Sequence, residues 1–441
     1  MSALARIEAT LARIAERDPV LNAFTAITAE RARARAAELD ATRAAGRAAG
    51  PLEGVPFAVK NLIDIAGLPT LAGSKINRDR PAATQDATLI TRLEAAGAVL
   101  VGALNMGEYA YDFTGENVHD GASRNPHDHS RMAGGSSGGS GSAVGGDLVP
   151  LALGSDTNGS IRVPSSFCGI FGLKPTYGRL SRAGSFPFVA SLDHLGPFAR
   201  NVGDLAAAYD AMQGPDAGDA ACTDRAPEWV SADLGKGISG LKIGVLGGYF
   251  RHGATAEVLA TLDHLAQSLG AVQTLELPEA ARARAAAYVI TCTEGAALHL
   301  ERLRRRGADF DPAVRDRLIA GALVPAALVA KAQNFRRWYH DQVLRMFEGV
   351  DVLLAPATPC TAPMLGQTEL DLGGKKVPLR ANIGIYTQPI SFIGLPVVAV
   401  PVKLPGASLP LAVQIIAAPW REDLALRVAS YLEAAGVARA V

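Results

Sequence analysis

The sequence predicts an α/β fold in which helices cover both faces of a central sheet. Short apolar runs bounded by turn residues, such as 98–102 and 149–153, are typical of buried strands. An amphipathic segment at 86–96 precedes the first of these runs, and strands that alternate with helices predict βαβ units. Of the 441 residues, 49% are hydrophobic, so the chain can bury a core large enough for such a sheet.

Helices are predicted from apolar residues that recur every three or four positions. In the first segment Leu4, Ile7 and Leu11 share a face, and Asp18-Pro19 ends the helix. The segment that begins at about residue 28 is rich in Ala, Arg and Glu, which predicts a solvated face. The predicted helices are 3–17, about 28–47, 86–96, one that opens at 104–111, 201–212, 256–269, those within 278–306 and 312–347, and 423–434.

Strands are predicted from the short apolar runs between these helices. The segment 51–65 stands apart because Lys60 lies inside its apolar stretch. Such a lysine is either an edge-strand residue that reaches water or a buried amine whose pKa is lowered, which makes it available as a base. The predicted strands are 51–65, 98–102, 149–153, 241–246, 351–355, 397–400 and 411–416.

The domain organisation is judged from the best candidate for a long surface crossover. Residues from about 214 to 240 are rich in Gly, Pro and Asp. We interpret them as a long surface crossover rather than a domain boundary. No internal repeat occurs, and a single domain is expected over 1–441.

The composition excludes several classes of partner. Lys+Arg and Asp+Glu both number 43, so direct nucleic-acid binding is not expected. The longest apolar run, 318–330, has 13 residues, fewer than the roughly 20 of a membrane span, so no membrane association is expected. The four cysteines form no CxxC pair and no signal-peptide pattern opens the chain, which predicts a cytoplasmic protein. No HExxH pattern occurs, and neither a metal nor a cofactor is expected.

Two Gly/Ser-rich segments, GGSSGG at 134–139 and GSDTNGS at 154–160, flank the strand predicted at 149–153. A flexible linker does not fit, because apolar residues continue between and after them. A phosphate loop does not fit, because neither G-x-x-x-x-G-K-[ST] nor a G-x-G-x-x-G after a strand is present. Residues 135–139 match the G-x-S-x-G elbow of α/β-hydrolases, yet polar NPHDHSR precedes them instead of the buried strand that the elbow requires.

The two segments resemble the signature of the amidase signature family of serine hydrolases. The likeness extends over essentially the whole chain, with the signature core at about 54–200. It implies the amidase signature fold, a large mixed twisted β-sheet covered by helices on both faces. It also implies hydrolysis of a linear amide C–N bond with release of ammonia and without a cofactor. The matching stretches are GVPFAVKN at 54–61, GGSSGGS at 134–140, GSDTNGSIRVPSSFCG at 154–169 and GLKPTYGRLS at 172–181.

This resemblance implies a role for each matching residue. Ser160 matches the nucleophile, Ser136 the bridging serine that follows a cis peptide bond, and Lys60 the base. Neutral Lys60 would take a proton from Ser136 while Ser136 takes one from Ser160, and the reversed relay would protonate the leaving ammonia. The expected oxyanion hole consists of backbone N–H groups of Thr157, Asn158, Gly159 and Ser160. The expected supporting residues, whose hydrogen bonds also stabilise these loops, are Ser137, Asp156 and Arg162.

Further segments are similar to one subfamily, the 1-carboxybiuret hydrolases of cyanuric acid degradation, which hydrolyse a terminal urea-type amide. Asn158 replaces the more usual glycine. A substrate that carries a carboxylate implies a cation in the pocket, for which Arg78 and Arg336 are candidates. Tyr111 and Gln388 are candidates for polar contacts with the substrate. The similar segments are AGSKINR at 72–78, AYDAMQGPD at 208–216, TQPISF at 387–392 and QIIAAPW at 414–420.

Three other functions stay open at this point. One is the glutaminase component of a tRNA-dependent glutamyl or aspartyl amidotransferase. Another is an amidase for a different small amide, such as biuret or allophanate. The third is a scaffold without activity, which the intact Lys60, Ser136 and Ser160 disfavour. Besides a small-molecule amide substrate, the resemblance implies a small helical accessory subunit. We also expect a homo-oligomer.

Overall fold

A mixed sheet forms the centre of the molecule in the computed structural model, which describes residues 1–47, 50–271 and 273–441. The strands are β1 (Phe24–Ile27), β2 (Pro56–Lys60), β3 (Val99–Leu104), β4 (Leu151–Asp156), β5 (Phe171–Lys174), β6 (His194–Ala199), β7 (Ile243–Leu246), β8 (Gln273–Leu275), β9 (Val352–Pro356), β10 (Glu369–Leu372), β11 (Lys375–Pro378), β12 (Val397–Val402) and β13 (Leu411–Ala417). The order in the 11-stranded sheet is β1-β3-β2-β4-β6-β5-β12-β13-β9-β7-β8, and β10 and β11 pair in a separate hairpin.

The pairing explains why the sheet is mixed. β2 is parallel to β3 and β4, and β7 is parallel to β8 and β9. Between these two parallel groups, the strands β4, β6, β5, β12, β13 and β9 pair antiparallel with their neighbours. The expected α/β class with a large mixed sheet is therefore confirmed. The βαβ unit predicted from 86–102 is also present, since a helix joins the parallel strands β2 and β3.

Helices cover both faces of the sheet. Along β4, Leu151 and Leu153 face a core shared with α3, α6, α7 and α13, whereas Ala152 faces a second core with α1, α2 and α4. Successive strand residues point to opposite faces, so a strand buried on both faces needs a continuous apolar run. These helices and the others are α1 (Ala3–Leu21), α2 (Ala29–Ala44), α3 (Thr88–Ala95), α4 (Gly138–Gly145), α5 (Arg162–Cys168), α6 (Val202–Met212), α7 (Ala256–Ser268), α8 (Ala280–Arg306), α9 (Pro312–Ala322), α10 (Ala326–Met346), α11 (Leu379–Asn382), α12 (Gln388–Ser391) and α13 (Glu422–Ala434).

Residues 104–111, all of which the structure describes, do not form the predicted helix. Strand β3 runs to Leu104, and only a short 3-10 turn follows at Glu108–Ala110. Tyr109 and Ala110 have φ values of 49° and 60°, in the left-handed region that an α-helix of L-residues does not use. Contacts with distant residues hold this turn, because the N–H of Gly107 donates to the carbonyl of Ser136.

The remaining differences concern boundaries and short strands. The strand predicted over 51–65 is limited to β2. The segment 312–347 forms two helices, because Pro325 lacks the N–H that would continue α9. Strands β1, β5, β6, β8, β10 and β11 were not predicted. All of these except β6 have only three or four residues. Both β5 and β6 contain Gly or Pro, which weakens the apolar pattern of a strand.

The predicted crossover at 214–240 is irregular apart from a 3-10 helix at Val230–Lys236, which packs against α6 and α13. The carboxylate of Asp210 in α6 accepts the N–H groups of Val230 and Ser231. This segment is therefore held against helices that cover the large sheet. Because that sheet takes strands from β1 through β13, we propose a single domain over 1–441.

Within the described ranges, no single helix has the length and apolar character of a membrane span, and α9 with α10 meets that test only as a pair bent by 95°. The same ranges contain no group of three or more His, Cys, Asp or Glu side chains arranged to hold a metal ion. The four cysteines are free thiols.

A close crossing of α8 and α9 depends on Gly321. A Cβ atom at this position would lie 2.1 Å from the carbonyl oxygen of Cys292. Overpacking of this kind costs about 1–3 kcal/mol, and here the obstacle is backbone, so we expect Gly321→Ala to lower the free energy of unfolding by about 3 kcal/mol. Urea denaturation measures this change.

Gly307 provides the matched control, because it has helical backbone angles and a Cβ there would meet nothing within 4 Å. Gly307→Ala should be neutral or stabilise the protein by up to about 1 kcal/mol. Equal stability of the two variants would contradict the close packing of α8 and α9.

Candidate active site

Two parallel strands bring the first site residues to one edge of the sheet. β2 and β4 pair with Val59 opposite Leu153, so Lys60, the last residue of β2, lies beside the end of β4. The two Gly/Ser-rich segments are at the same edge. Ser136 and Ser137 precede α4, and residues 157–161 join β4 to α5. Because α4 packs against α5, β2 and β4, these segments face one another.

The side chain of Lys60 is fully buried between them. Its Nζ lies 2.7 Å from the hydroxyl of Ser136, 3.0 Å from that of Ser137 and 2.9 Å from that of Ser155. The hydroxyl of Ser137 donates to the carbonyl of Ser155, so it can only accept from the amine. The hydroxyls of Ser136 and Ser155 remain able to donate to a neutral amine.

Burial sets the protonation of this amine. Transfer out of water disfavours the charged form and lowers the pKa of Lys60 to about 7, although the carboxylates of Asp156, Asp193 and Asp112 oppose the shift. No carboxylate pairs directly with Nζ among the described residues, where its hydrogen bonds go to hydroxyls. A substantial fraction of Lys60 is therefore a neutral amine near pH 7, which is what a general base requires.

Glycine allows the serines to approach the strand. A Cβ at Gly154 would lie 2.8 Å from the hydroxyl oxygen of Ser137, so a larger residue would push Ser137 away from Lys60. The peptide bond between Gly135 and Ser136 is cis. The close approach at Gly154 gives the glycine content of these segments a packing cause.

The loop after β4 is fixed at both ends of its turn. The hydroxyl of Thr157 donates to the half-buried carboxylate of Asp193 (2.6 Å), and the hydroxyl of Thr387 donates to the carbonyl of Asn158 (2.6 Å). Gly159 has φ of 143°, and a Cβ there would lie 2.2 Å from the Thr387 hydroxyl oxygen. Within the part of the chain that the structure describes, the backbone N–H groups of 157–160 donate to no protein acceptor. They are available to a ligand.

Asp156 and Arg162 form a fully buried ion pair beneath this loop. The guanidinium of Arg162 donates two hydrogen bonds of 3.0 Å to the carboxylate of Asp156, and it also contacts the carbonyl of Thr387 and the side chains of Gln414 and Ser391. Burial alone would raise the pKa of Asp156, but the charge of Arg162 holds it well below its usual range. Breaking such a pair by removing one partner leaves an uncompensated buried charge.

Ser160 lines a narrow cavity of about 30 Å³. Among the described residues, no hydrogen bond joins the hydroxyls of Ser136 and Ser160. Links of this kind are often long in a free enzyme and tighten in the complex with substrate. The lining residues include Tyr111, Asp112, Asn158, Ser160, Tyr288, Thr291, Arg317, Arg380 and Gln388.

Both predicted substrate contacts, Tyr111 and Gln388, line this cavity. The Gln388 side-chain oxygen accepts a hydrogen bond of 2.9 Å from Arg284, so its amide N–H groups are directed elsewhere. The two candidate cations are not at this cavity. Arg78 pairs with Asp120 near the surface, and Arg336 donates to the carbonyls of Phe392 and Ser191. Arg336 lies instead along a separate groove of about 760 Å³ that contains none of Lys60, Ser136 and Ser160.

Several residues of the site carried no signal in the sequence. Arg317 in α9 and Arg380 in α11 supply the cations of the cavity, and their distance along the chain from Ser160 hid this proximity. Asp193 was missed for the same reason, and Thr387 lies in the similar segment 387–392 without having been assigned a role. Ser155 lies inside the recognised motif, but only the direction of its side chain reveals the contact with Lys60.

Comparison with known proteins is consistent with this geometry. The Amidase family model matches residues 5–426. The chain is 54% identical over 434 residues to AtzE, a 1-carboxybiuret hydrolase subunit of Pseudomonas sp. (strain ADP), covering 98% of this chain and 95% of that protein. It is 38% identical over 449 residues to the A component of the glutamyl-tRNA(Gln) amidotransferase of Roseiflexus sp. (strain RS-1), covering 96% and 90%.

Solved structures of similar proteins also include amidases. An s-triazine catabolic enzyme, described as part of a vestigial protein complex, superimposes with a TM-score of 0.99 at 53% identity over 100% of this chain and 97% of that one. A bacterial aryl acylamidase superimposes with a TM-score of 0.89 at 28% identity over 99% and 93%. The chain therefore belongs to the amidase family. It is an amidohydrolase that acts on C–N bonds.

The protonation of Lys60 predicts the pH dependence of activity. With Lys60 as the proposed base, which acts only as the neutral amine, kcat/KM should rise with pH through a midpoint near 7 and fall about tenfold for each pH unit below that midpoint. Rate measurements between pH 5 and 9 on the wild type define this rising limb of the pH–rate profile.

Lys174 provides a matched control, because burial also lowers its pKa to about 7 while its Nζ contacts the carbonyl of Pro175. The variant Lys174→Met should keep the limb whatever its maximal rate, and Lys60→Met should have no activity at any pH. Loss of the limb in Lys174→Met would contradict the role of Lys60.

Proposed function

We propose that this chain is a 1-carboxybiuret hydrolase. The observation that carries the proposal is the 54% identity to AtzE over 98% of the chain. The substrate is linear, with a carboxylate at one end and a terminal urea-type amide at the other. A narrow cavity lined by Ser160 and by the cations Arg317 and Arg380 supports this choice.

The proposed reaction begins with a proton relay. The Ser160 hydroxyl attacks the terminal carbonyl carbon and forms the C–O bond, while its proton passes to the oxygen of Ser136. The proton of Ser136 passes at the same time to the neutral amine of Lys60. The contact of 2.7 Å between Lys60 and Ser136 supports this order, and Ser137 is unsuited to the relay because its proton is already donated to a carbonyl.

Collapse of the tetrahedral intermediate completes the first half of the reaction. The C–N bond breaks, and the relay runs in reverse so that the leaving nitrogen takes a proton and departs as ammonia. Water then attacks the acyl-enzyme by the same relay, which releases a carboxylate product and restores Ser160. The unused N–H groups of residues 157–160 would stabilise the oxyanion in both halves, each worth about 3 kcal/mol of barrier.

Arg317 is the proposed partner of the distal carboxylate. Arg380 is neutralised by Asp112 at 2.8 Å and Glu116 at 3.0 Å. In contrast, Arg317 forms no ion pair within the described ranges, where its hydrogen bonds go to the carbonyls of Ala313 and Tyr111. An uncompensated guanidinium in a cavity wall favours an anionic ligand.

The other proposals concern assembly and location. The relative AtzE is named as one subunit of its enzyme, and the s-triazine enzyme was solved in a protein complex, which supports a small helical accessory subunit for this chain as well. Homo-oligomerisation and a cytoplasmic location remain proposals from the sequence. The glutaminase alternative has less support, because the amidotransferase relatives are 35–38% identical to this chain.

An ammonia-release assay tests the proposed reaction. The purified chain is offered 1-carboxybiuret, biuret, allophanate and glutamine, with Ser160→Ala as the control. Ammonia should appear fastest from 1-carboxybiuret and should be absent with Ser160→Ala. Ammonia from glutamine alone, or undiminished release by Ser160→Ala, would contradict the proposal.

Substitution of Arg317 tests the carboxylate contact. A hydrogen bond to a charged group contributes about 1.5–3 kcal/mol, so Arg317→Met should raise KM for 1-carboxybiuret at least about tenfold. Arg315 lies on the same helix and pairs with Asp316, so Arg315→Met should change KM less than about twofold. Steady-state kinetics measure KM for the two variants. Equal KM values would contradict a contact between Arg317 and the substrate carboxylate.

A further inference from the structure

The side chain of Asn158 has an unusual environment beside the nucleophile. It is 7% exposed, and its Nδ2 donates a hydrogen bond of 2.9 Å to the hydroxyl of Thr291 in α8. Its Oδ1 is buried and has no hydrogen-bond partner within the described part of the chain. The backbone carbonyl of the same residue accepts a hydrogen bond from the hydroxyl of Thr387. Hydrogen bonds therefore hold both the backbone and the side-chain amide of Asn158.

A buried amide oxygen without a donor is rare and requires an explanation. Asn158 lines the same cavity as Ser160, and the residue lies only two positions before that nucleophile. Tyr111, which is 6% exposed, also lines this cavity, and its hydroxyl lies beside Tyr288 without a hydrogen bond of normal geometry to any described residue. Two unpaired buried polar groups in one wall point to a ligand that hydrogen-bonds to both.

We infer that the Oδ1 of Asn158 accepts the N–H on the retained side of the scissile carbonyl, and so selects ureido substrates over alkyl amides. This inference rests on the proposed function. In a urea-type substrate the attacked carbon carries nitrogen on both sides, and one nitrogen stays with the acyl group. An alkyl amide such as glutamine has a methylene there, which would leave Oδ1 unpaired. Sites built to bond an N–H reject analogues that lack it far more strongly than apolar pockets reject a missing methylene.

The hydrogen bond to Thr291 gives Asn158 its orientation. With Nδ2 bonded to α8, Oδ1 is the amide atom left for a ligand in the cavity that Asn158 lines. Thr291 is therefore a positioning residue, because it acts on the substrate through Asn158. Thr293, two residues further along α8, donates instead to the carbonyl of Val289 and provides a matched control.

The test compares biuret with malonamide, which differ only by an N–H in place of a methylene between the two carbonyls. Binding to Ser160→Ala is measured by calorimetry, and kcat/KM is measured with active Ser160. Asn158→Gly should lower the biuret-to-malonamide ratio at least tenfold in both measurements. Thr291→Val should lower the ratio severalfold with a larger change in KM than in kcat, whereas Thr293→Val should leave it unchanged.

The outcomes separate the two proposals. A wild type that releases ammonia from ureido substrates, with the same ratio in Asn158→Gly, would overturn the role of Asn158 alone. A wild type that prefers malonamide over both biuret and 1-carboxybiuret would overturn the role of Asn158 together with the proposed function. Thermal unfolding of Asn158→Gly checks that the variant is folded, and Thr291→Val supplies an independent measurement if it is not.

Discussion

The site depends on one amine held out of water among hydroxyl groups. A buried lysine beside a carboxylate would stay protonated and could not act as a base. Here the nearest neighbours of Lys60 are three serine hydroxyls, so burial dominates and the pKa falls to about 7. The surrounding carboxylates are engaged elsewhere, Asp156 with Arg162 and Asp193 with Thr157. The architecture therefore keeps the acids near enough to order the loops and too far from the amine to pair with it.

The sheet provides the precision that this arrangement requires. Parallel pairing of β2 and β4 fixes Lys60 against the end of the neighbouring strand, and α4 and α5 begin at the same edge. A lysine on a flexible loop would reach water and regain its ordinary pKa. Rigid strand ends keep the amine of Lys60 away from water. Close contacts that only glycine permits contribute to this, since there is no room for a Cβ at Gly154 or Gly159. Catalysis by preorganised donors requires such rigidity.

Much of the fold was predictable from the sequence, and the reasons are local. The strands buried on both faces read as continuous apolar runs, and the long helices have regular apolar spacing. The predictions failed where contacts between residues distant in sequence determine the backbone conformation. Residues 104–111 looked helical, but Tyr109 and Ala110 adopt left-handed angles. The motif residues were predictable because they are contiguous, whereas Arg317 and Thr387 belong to the site only through folding.

The protonation state of Lys60 is the central claim, and it can be measured directly. NMR titration of a protein labelled with ¹⁵N at lysine Nζ, assigned by comparison with Lys60→Met, follows this amine without substrate. A midpoint near pH 7 for the Lys60 signal is the predicted result. A midpoint above about 9.5, close to the ordinary lysine value of about 10.4, would contradict the account.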